Sequence, residues 1–197
     1  MSRGVANDDA VVNSADPEAL VLEIERLRNQ IAHLQARVQQ LDVLAHRDPL
    51  VDLPNRRSFL ASLDRLIARV ERSREPAAVL FVDVDGLKAI NDKLGHQAGD
   101  AALVEVATLL VASTRRNDCV ARLGGDEFGI LLEQADELSA WLMALRVVET
   151  VVGAKFCLGK TTLPLSVAVG VATIQPGDDS ATVMARADRE MYRVKAA

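Results

Sequence analysis

The stretch Arg122-Leu123-Gly124-Gly125-Asp126-Glu127-Phe128 sets two glycines and two carboxylates between two short apolar runs. Cys119-Val120-Ala121 with Leu123 on one side, and Phe128 with Ile130-Leu131-Leu132 on the other, have the composition of strands, so the glycines belong in a tight hairpin turn. Glycine accepts positive φ and lets a ligand come close to the backbone, which makes Gly125 a candidate contact. Two acids at the tip of such a turn have no packing role and suit a divalent cation carrying a polyphosphate. A solvated acidic hairpin is the alternative, and the stretch alone does not separate the two.

The rest of the chain narrows the choice. Its 197 residues suffice for one ordinary domain plus an extension. A composition of 49% hydrophobic and 26% charged residues is that of a globular protein. A formal charge of -5 without a Lys/Arg-rich run excludes the electrostatic footprint of a nucleic-acid binder. Any anionic ligand must therefore be met by local cations or by metal. Cys119 and Cys157 lie far apart in apolar, strand-like runs, which predicts buried free thiols in a reducing compartment. The first residues offer no signal-peptide core, and runs such as Ala77 to Val82 are too short to cross a bilayer. The expectation is a cytoplasmic protein without direct membrane insertion.

Residues 1–17 are polar and aperiodic and read as a flexible tail entering a helix at Asp16-Pro17. Leu20, Ile24, Leu27, Ile31, Leu34, Val38 and Leu41 then alternate steps of four and three. β-Branched residues at a and leucine at d predict a parallel two-stranded coiled coil over 18–46. In that register Glu23 faces Arg28 of a partner helix and Arg37 faces Asp42. An amphipathic helix packed on its own domain is the alternative.

A second domain, 47–197, begins with the turn-rich Asp48-Pro49 to Arg57, where Asn55 is suited to capping a helix that carries Phe59, Leu63, Leu66, Ile67 and Val70. The unbroken apolar run Ala77–Val82 predicts a strand buried on both faces, ending in Asp83-Val84-Asp85-Gly86. Helices are expected over Leu87–Leu94 and from about Asp100, an N-cap, to Ser113. A helix with Leu138, Trp141, Leu142 and Leu145 on one face follows the hairpin. Strands are expected over Lys155–Leu158 and Pro164–Ile174 around a turn at Gly159-Lys160-Thr161, then a last helix from about Ser180. In the second strand small Ser166, Ala168, Gly170 and Ala172 alternate with bulky residues, so something approaches that face closely. The order βααββαββα predicts an α+β domain with a mainly antiparallel sheet.

Adjacent central strands would bring Asp83 and Asp126 to one sheet edge, where their oxygens and the Val84 carbonyl would make a Mg²⁺ site of the kind that bridges phosphates, with surface acids and a solvated lysine as the alternative. Lys88, one helical turn on, would lie near the phosphates, with early-helix amides adding to the anion site.

Asp83-Val84-Asp85-Gly86-Leu87-Lys88-Ala89-Ile90-Asn91-Asp92, Gly95-His96, Gly99-Asp100 and Arg122 to Phe128 together resemble the GGDEF domain of diguanylate cyclases. The resemblance runs from Asp48-Pro49-Leu50 to Asp188-Arg189-Glu190-Met191-Tyr192-Arg193-Val194-Lys195. It implies a nucleotidyl-cyclase-like, ferredoxin-like fold and condensation of two GTP into cyclic di-GMP with loss of two pyrophosphates. It further implies that Asp83, the Val84 carbonyl and Asp126 hold Mg²⁺, with Mn²⁺ as a substitute, and that Asn91 and Asp100 read the guanine edge. Lys88 and Lys195 would contact phosphate, and Asp92 would support the site. Glu127 would be either a further metal-site acid or the group that helps deprotonate the attacking 3′-hydroxyl. His96 is assigned to packing or loop closure. Because each domain would hold one GTP, the reaction needs a homodimer, which the heptad seam would supply.

Arg115-Arg116-Asn117-Asp118 is similar to the family's Arg-x-x-Asp product-inhibition site, and Arg146 is a candidate second cation there. Val51 and Asp52 stand where the family often has Thr and Gly, and Leu87 where it often has Phe. Two other readings stay open at this point: a cyclic di-GMP receptor using Arg115 and Asp118, and a dimerisation module.

Overall fold

The computed structural model describes residues 17–159 and 161–196. In chain order the elements are α1 (Pro17–His46), α2 (Arg56–Ser73), β1 (Ala77–Val84), α3 (Leu87–Leu94), α4 (His96–Ser113), β2 (Cys119–Gly124), β3 (Glu127–Glu133), α5 (Glu137–Gly153), β4 (Phe156–Leu158), β5 (Thr161–Leu163), β6 (Val167–Thr173) and α6 (Ser180–Lys195). They fall into two units, Met1–Val43 and Leu44–Ala197. Except for Pro17, the expected tail lies outside the described residues, as does Lys160 of the expected turn.

In the first unit, α1 leaves Leu20, Ile24, Leu27, Ile31, Leu34 and Val38 between 43% and 66% exposed. A stripe of large aliphatic side chains open to water is what a heptad seam looks like before it meets a second helix. Glu23 pairs within its own helix, accepting from Arg26 Nε at 2.7 Å and Nη2 at 2.6 Å. Both side chains are half exposed, so the pair contributes little to stability.

In the second unit β1 is buried at all eight positions, as its unbroken apolar sequence requires. Four strands form one sheet in the order β2-β3-β1-β6, each neighbouring pair antiparallel. With the small β4–β5 hairpin set aside, the path is β-α-β-β-α-β, and the domain is α+β as expected. Ala78, Leu80, Val82 and Val84 point into one core with residues of α4 and α5. Ala77, Val79 and Phe81 point into the other with α2 and α6. Period-two alternation thus divides one strand between two cores.

The small face of β6 meets α6. A Cβ on Gly170 would fall 2.1 Å from the Ala187 carbonyl oxygen and 2.2 Å from the Met191 nitrogen, so glycine is what admits the helix backbone. At the start of α2, Asn55 Oδ1 accepts the Ser58 amide at 3.1 Å, the expected cap. Asn55 Nδ2 also donates to the Ala45 carbonyl at 3.0 Å, and Ser58 Oγ to that of His46 at 2.8 Å. Asp52 has φ 50, the left-handed region, which explains why glycine suits this position. Arg47 holds it there, its Nε 2.5 Å from Asp52 Oδ1.

Five expectations need correction. α4 starts at His96 with Gly95 as N-cap, so Asp100 lies inside the helix and does not cap it. The positive φ of 87 at Gly95 turns the chain within one residue, and His96 is in the first turn instead of a loop. The strand expected over 164–174 begins only at Val167, and Thr161–Leu163, which starts in the expected turn, is a further strand that pairs with β4. On α5 the core face is Ala140, Met143, Ala144, Val147 and Val151, whereas Leu138, Trp141, Leu142 and Leu145 are exposed. Small residues let α5 sit close to the sheet, so the bulkier stripe is turned outward. The thiols are free as expected but not buried: Cys157 is exposed on the small hairpin, and Cys119 is half-buried.

Replacing Gly170 with Ala is expected to destabilise the domain by about 1–3 kcal/mol through overpacking. Urea denaturation would measure it, and a loss below about 0.5 kcal/mol would show that α6 is not fixed against β6.

Candidate functional site

Two backbone facts build the site. β1 and β3 pair with Asp83 opposite Glu127, and the Val84 amide donates to the Asp126 carbonyl at 3.0 Å. Asp83 and Glu127 are therefore cross-strand neighbours on the α2/α6 face. Asp126 sits beside them in the two-residue loop between β2 and β3, where Gly125 has φ 55 and follows Gly124, the end of β2, at φ 142. The ladder slips between Arg122 and Gly124, a bulge that tightens the strand end.

A single guanidinium braces this hairpin from below. Arg122 donates from Nη2 to the Gly125 carbonyl at 2.7 Å and from Nη1 to Asp48 Oδ1 at 3.1 Å. Asp48 Oδ1 also accepts the Leu50 and Val51 amides at 2.9 and 3.1 Å. The ion pair is largely sheltered, with side-chain exposures of 13% and 17%. Sequence reasoning gave neither residue a role. An arginine two residues before a Gly-Gly turn was the available signal, but its partner lies 74 positions away.

Asp83 is the one charged residue that is buried among the described residues. Lys195, at the end of α6, donates to its Oδ1 and lies 4.0 Å from Asp85 Oδ1. The hydrogen bond to Asp83 raises the lysine's pKa, partial burial opposes this, and Asp85 and Asp126 add to the rise. The Glu127 carboxyl is also pushed up, first by desolvation, then by Asp126, Asp83 and Asp188, with Arg56 opposing. Arg56, Asp188 and Glu127 share the rim of a 630 Å³ cleft between α2 and α6 floored by Phe81 and Met184. Neither Arg56 nor Asp188 was singled out from the sequence as a site residue.

No three His, Cys, Asp or Glu side chains among the described residues converge into a metal cage. The donors present are hard oxygens on two or three carboxylates at a strand edge. Mg²⁺ is commonly held in this manner, by one or two carboxylates with water and substrate phosphates completing its shell, so the donor set fits that ion.

On the other side of β1, α3 and α4 pack together. Asn91 Oδ1 is buried without a hydrogen-bond partner, and a Cβ on Gly99 would stand 2.0 Å from it. Gly99 thus makes the seat for Asn91, next to Asp100 in sequence. An orphaned buried acceptor is costly and points to a donor brought by a ligand. Lys88, Asp92 and Asp100 are exposed. Gly86, the N-cap of α3, offers no side chain to the first-turn amides.

The Arg115 and Asp118 pair is arranged as a turn. Asp118 Oδ2 accepts the Arg115 backbone amide at 2.8 Å, and both residues line a 370 Å³ cleft with Leu53 and Val111. Arg146 is not part of that lining. Its guanidinium donates to the Ser113 carbonyl, at the end of α4, and lies 3.1 Å from Met143 Sδ.

The family described as diguanylate cyclase, GGDEF domain, matches residues 45–197. The diguanylate cyclase TpbB of Pseudomonas aeruginosa is 37% identical over 195 residues, covering 91% of this chain and 44% of that protein. This chain therefore spans less than half the length of that curated relative. The coiled coil and GGDEF domain of DgcB from Caulobacter crescentus, solved in complex with c-di-GMP, superposes with a TM-score of 0.82 at 25% identity, covering 90% of this chain and 95% of that one. Diguanylate cyclase SiaD from Pseudomonas aeruginosa, solved with its activator SiaC, gives 0.74 at 32% identity, covering 91% and 72%.

Because Glu127 is held above its ordinary pKa, the folded protein binds the proton on its carboxyl more tightly than the unfolded chain does. That stabilising preference is complete below the unfolded value near 4.5 and is lost as pH rises through the folded value. Glu127→Gln, which mimics the protonated form, is expected to gain stability relative to the parent between pH 4 and pH 7. Metal-free urea denaturation at both pH values would check it; a constant difference would show that Glu127 ionises without penalty.

Proposed function

The chain belongs to the GGDEF family of diguanylate cyclase domains, and on that premise we propose that it joins two molecules of GTP into cyclic di-GMP. Each 3′-oxygen forms a bond to the α-phosphorus of the other nucleotide, each α–β phosphoanhydride breaks, and two pyrophosphates leave. The observation that carries this reading is the β1–β3 register, which sets Asp83 across from Glu127 with Asp126 alongside.

Asp83, Asp126 and the Val84 carbonyl would hold Mg²⁺, which when bound neutralises developing charge on the phosphates. Lys88 and Lys195 would contact the phosphates at this edge, and Gly125 would let a polyphosphate approach the hairpin backbone. Glu127, whose ionised carboxylate is made more basic by its surroundings, is suited to take the 3′-hydroxyl proton, and as a further metal-site acid it would serve the same edge. The orphan Asn91 oxygen supports guanine binding, since guanine N1 and N2 are donors, and the Asp100 carboxylate accepts from the same edge. Asp92 supports this pocket from α3.

Transfer between two nucleotides held by separate domains requires a second copy. The bare seam of α1 supports a parallel homodimer over 18–46, joined to a cyclase domain over 47–197. No described helix is long and apolar enough to cross a membrane, and the proposed location is the cytoplasm. The cleft at Arg115 and Asp118 is the proposed product site, where the arginine grips guanine or phosphate and the product inhibits. Its existence also favours the receptor reading if the chain makes no product.

Incubation with GTP and Mg²⁺, with the product identified by mass, is expected to yield cyclic di-GMP from the parent. Asp126→Asn is expected to lower the rate by at least about a hundredfold, the scale seen on removing an electrostatic contact to a reacting group. Absence of product from the parent, with cyclic di-GMP still bound, would replace the cyclase reading by the receptor one. Removing residues 1–46 is expected to depress turnover per domain at low protein concentration; a rate per domain unchanged on dilution would remove the seam from the mechanism.

A further inference from the structure

A buried carboxylate needs a cation or strong donors, and Asp83 has its cation already. The ammonium of Lys195 is bonded to Asp83 Oδ1, with Asp85 4.0 Å away and Asp126 close enough to act on its charge. Asp83 retains only 13% side-chain exposure, whereas Lys195 at the last position of α6 retains 41%. The acid is fixed by strand pairing on both sides, and the lysine is the mobile member of the pair. A divalent cation at this edge would need the same carboxylate oxygen.

We propose that Lys195 is a built-in counter-cation of the site, which a divalent metal must displace from Asp83, so that metal and nucleotide bind cooperatively. This rests on the metal-site reading above. With metal alone, the displaced ammonium loses its carboxylate and gains only water. With nucleotide present, the ammonium swings to a phosphate oxygen and the metal takes Asp83, so both cations stay paired with anions. The same side chain therefore opposes metal binding without nucleotide and favours it with nucleotide, and linkage requires the reverse effect to be equal. Lys195 acts here as a positioning and gating residue through Asp83.

The test is Mn²⁺ binding to the full chain without nucleotide, read from the electron paramagnetic resonance of the free ion. Lys195→Met is expected to bind Mn²⁺ about tenfold more tightly than the parent, the scale of one hydrogen bond to a charged group. Lys195→Arg, which keeps the cation, is expected to stay near the parent. Adding guanosine 5′-(α,β-methylene)triphosphate, which cannot release pyrophosphate, is expected to tighten Mn²⁺ binding in the parent by a larger factor than in Lys195→Met. Lys195→Gln, which keeps a neutral donor, guards against misfolding of the Met variant and is expected to fall on the tighter side of the parent. If the parent binds Mn²⁺ and Lys195→Met and Lys195→Gln bind it equally or more weakly, the counter-cation role is overturned and the metal site stands. If neither parent nor variants bind Mn²⁺ with or without the nucleotide analogue, the metal-site reading itself is overturned.

Discussion

The pairing register of β1 and β3 is the constraint on which the site depends. Asp83 and Glu127 face the α2/α6 side only because Val82 and Phe128, one residue away on each strand, fill the opposite core. A slip by one residue would send a carboxylate into an apolar interior and turn Phe128 toward the face that Phe59 already fills, so the core holds the chemistry in register. The hydrophobic pattern that makes β1 a central strand is therefore also what aims its terminal acid.

The hairpin needs separate support, because glycine-rich turns have little side-chain packing of their own. Arg122 provides it by holding the Gly125 carbonyl on one side and Asp48 on the other. Asp48 in turn closes the Pro49 turn through the Leu50 and Val51 amides. The segment before α2 and the acidic loop thus share one sheltered ion pair. Removing either partner would leave a partly buried charge unmatched, a larger loss than the pair's net contribution.

Local signals in the sequence led to local structure. The unbroken apolar run identified β1, the bounds of α3 were legible from its flanking glycines, and Asn55 was recognisable as a cap. The alternation of small residues in β6 foretold a close approach, and Gly170 against α6 is that approach. Where the reading went astray, tertiary packing had overridden local pattern. Leucines at helical spacing marked the wrong face of α5, since close packing on the sheet selected Ala140 and Ala144. The short strand Thr161–Leu163 escapes a sequence reading because local composition does not reveal that it pairs back on β4. Asp100 has the chemistry of a cap, but Gly95 turns the chain earlier. The contacts of Lys195 with Asp83 and of Arg122 with Asp48 join residues 112 and 74 positions apart, and no local pattern encodes them.

Burial of β1 on both faces also governs which motions the domain can make. With β3 and β6 hydrogen-bonded along its two edges and side chains in both cores, its amides have no local route to solvent. They exchange with water only when the domain opens as a whole, whereas the three-residue strands β4 and β5, paired only with each other, can fray independently. Asp83 is thus anchored in the last part of the domain to open, whereas its partner Lys195 is the final residue of α6, at a helix end where fraying begins.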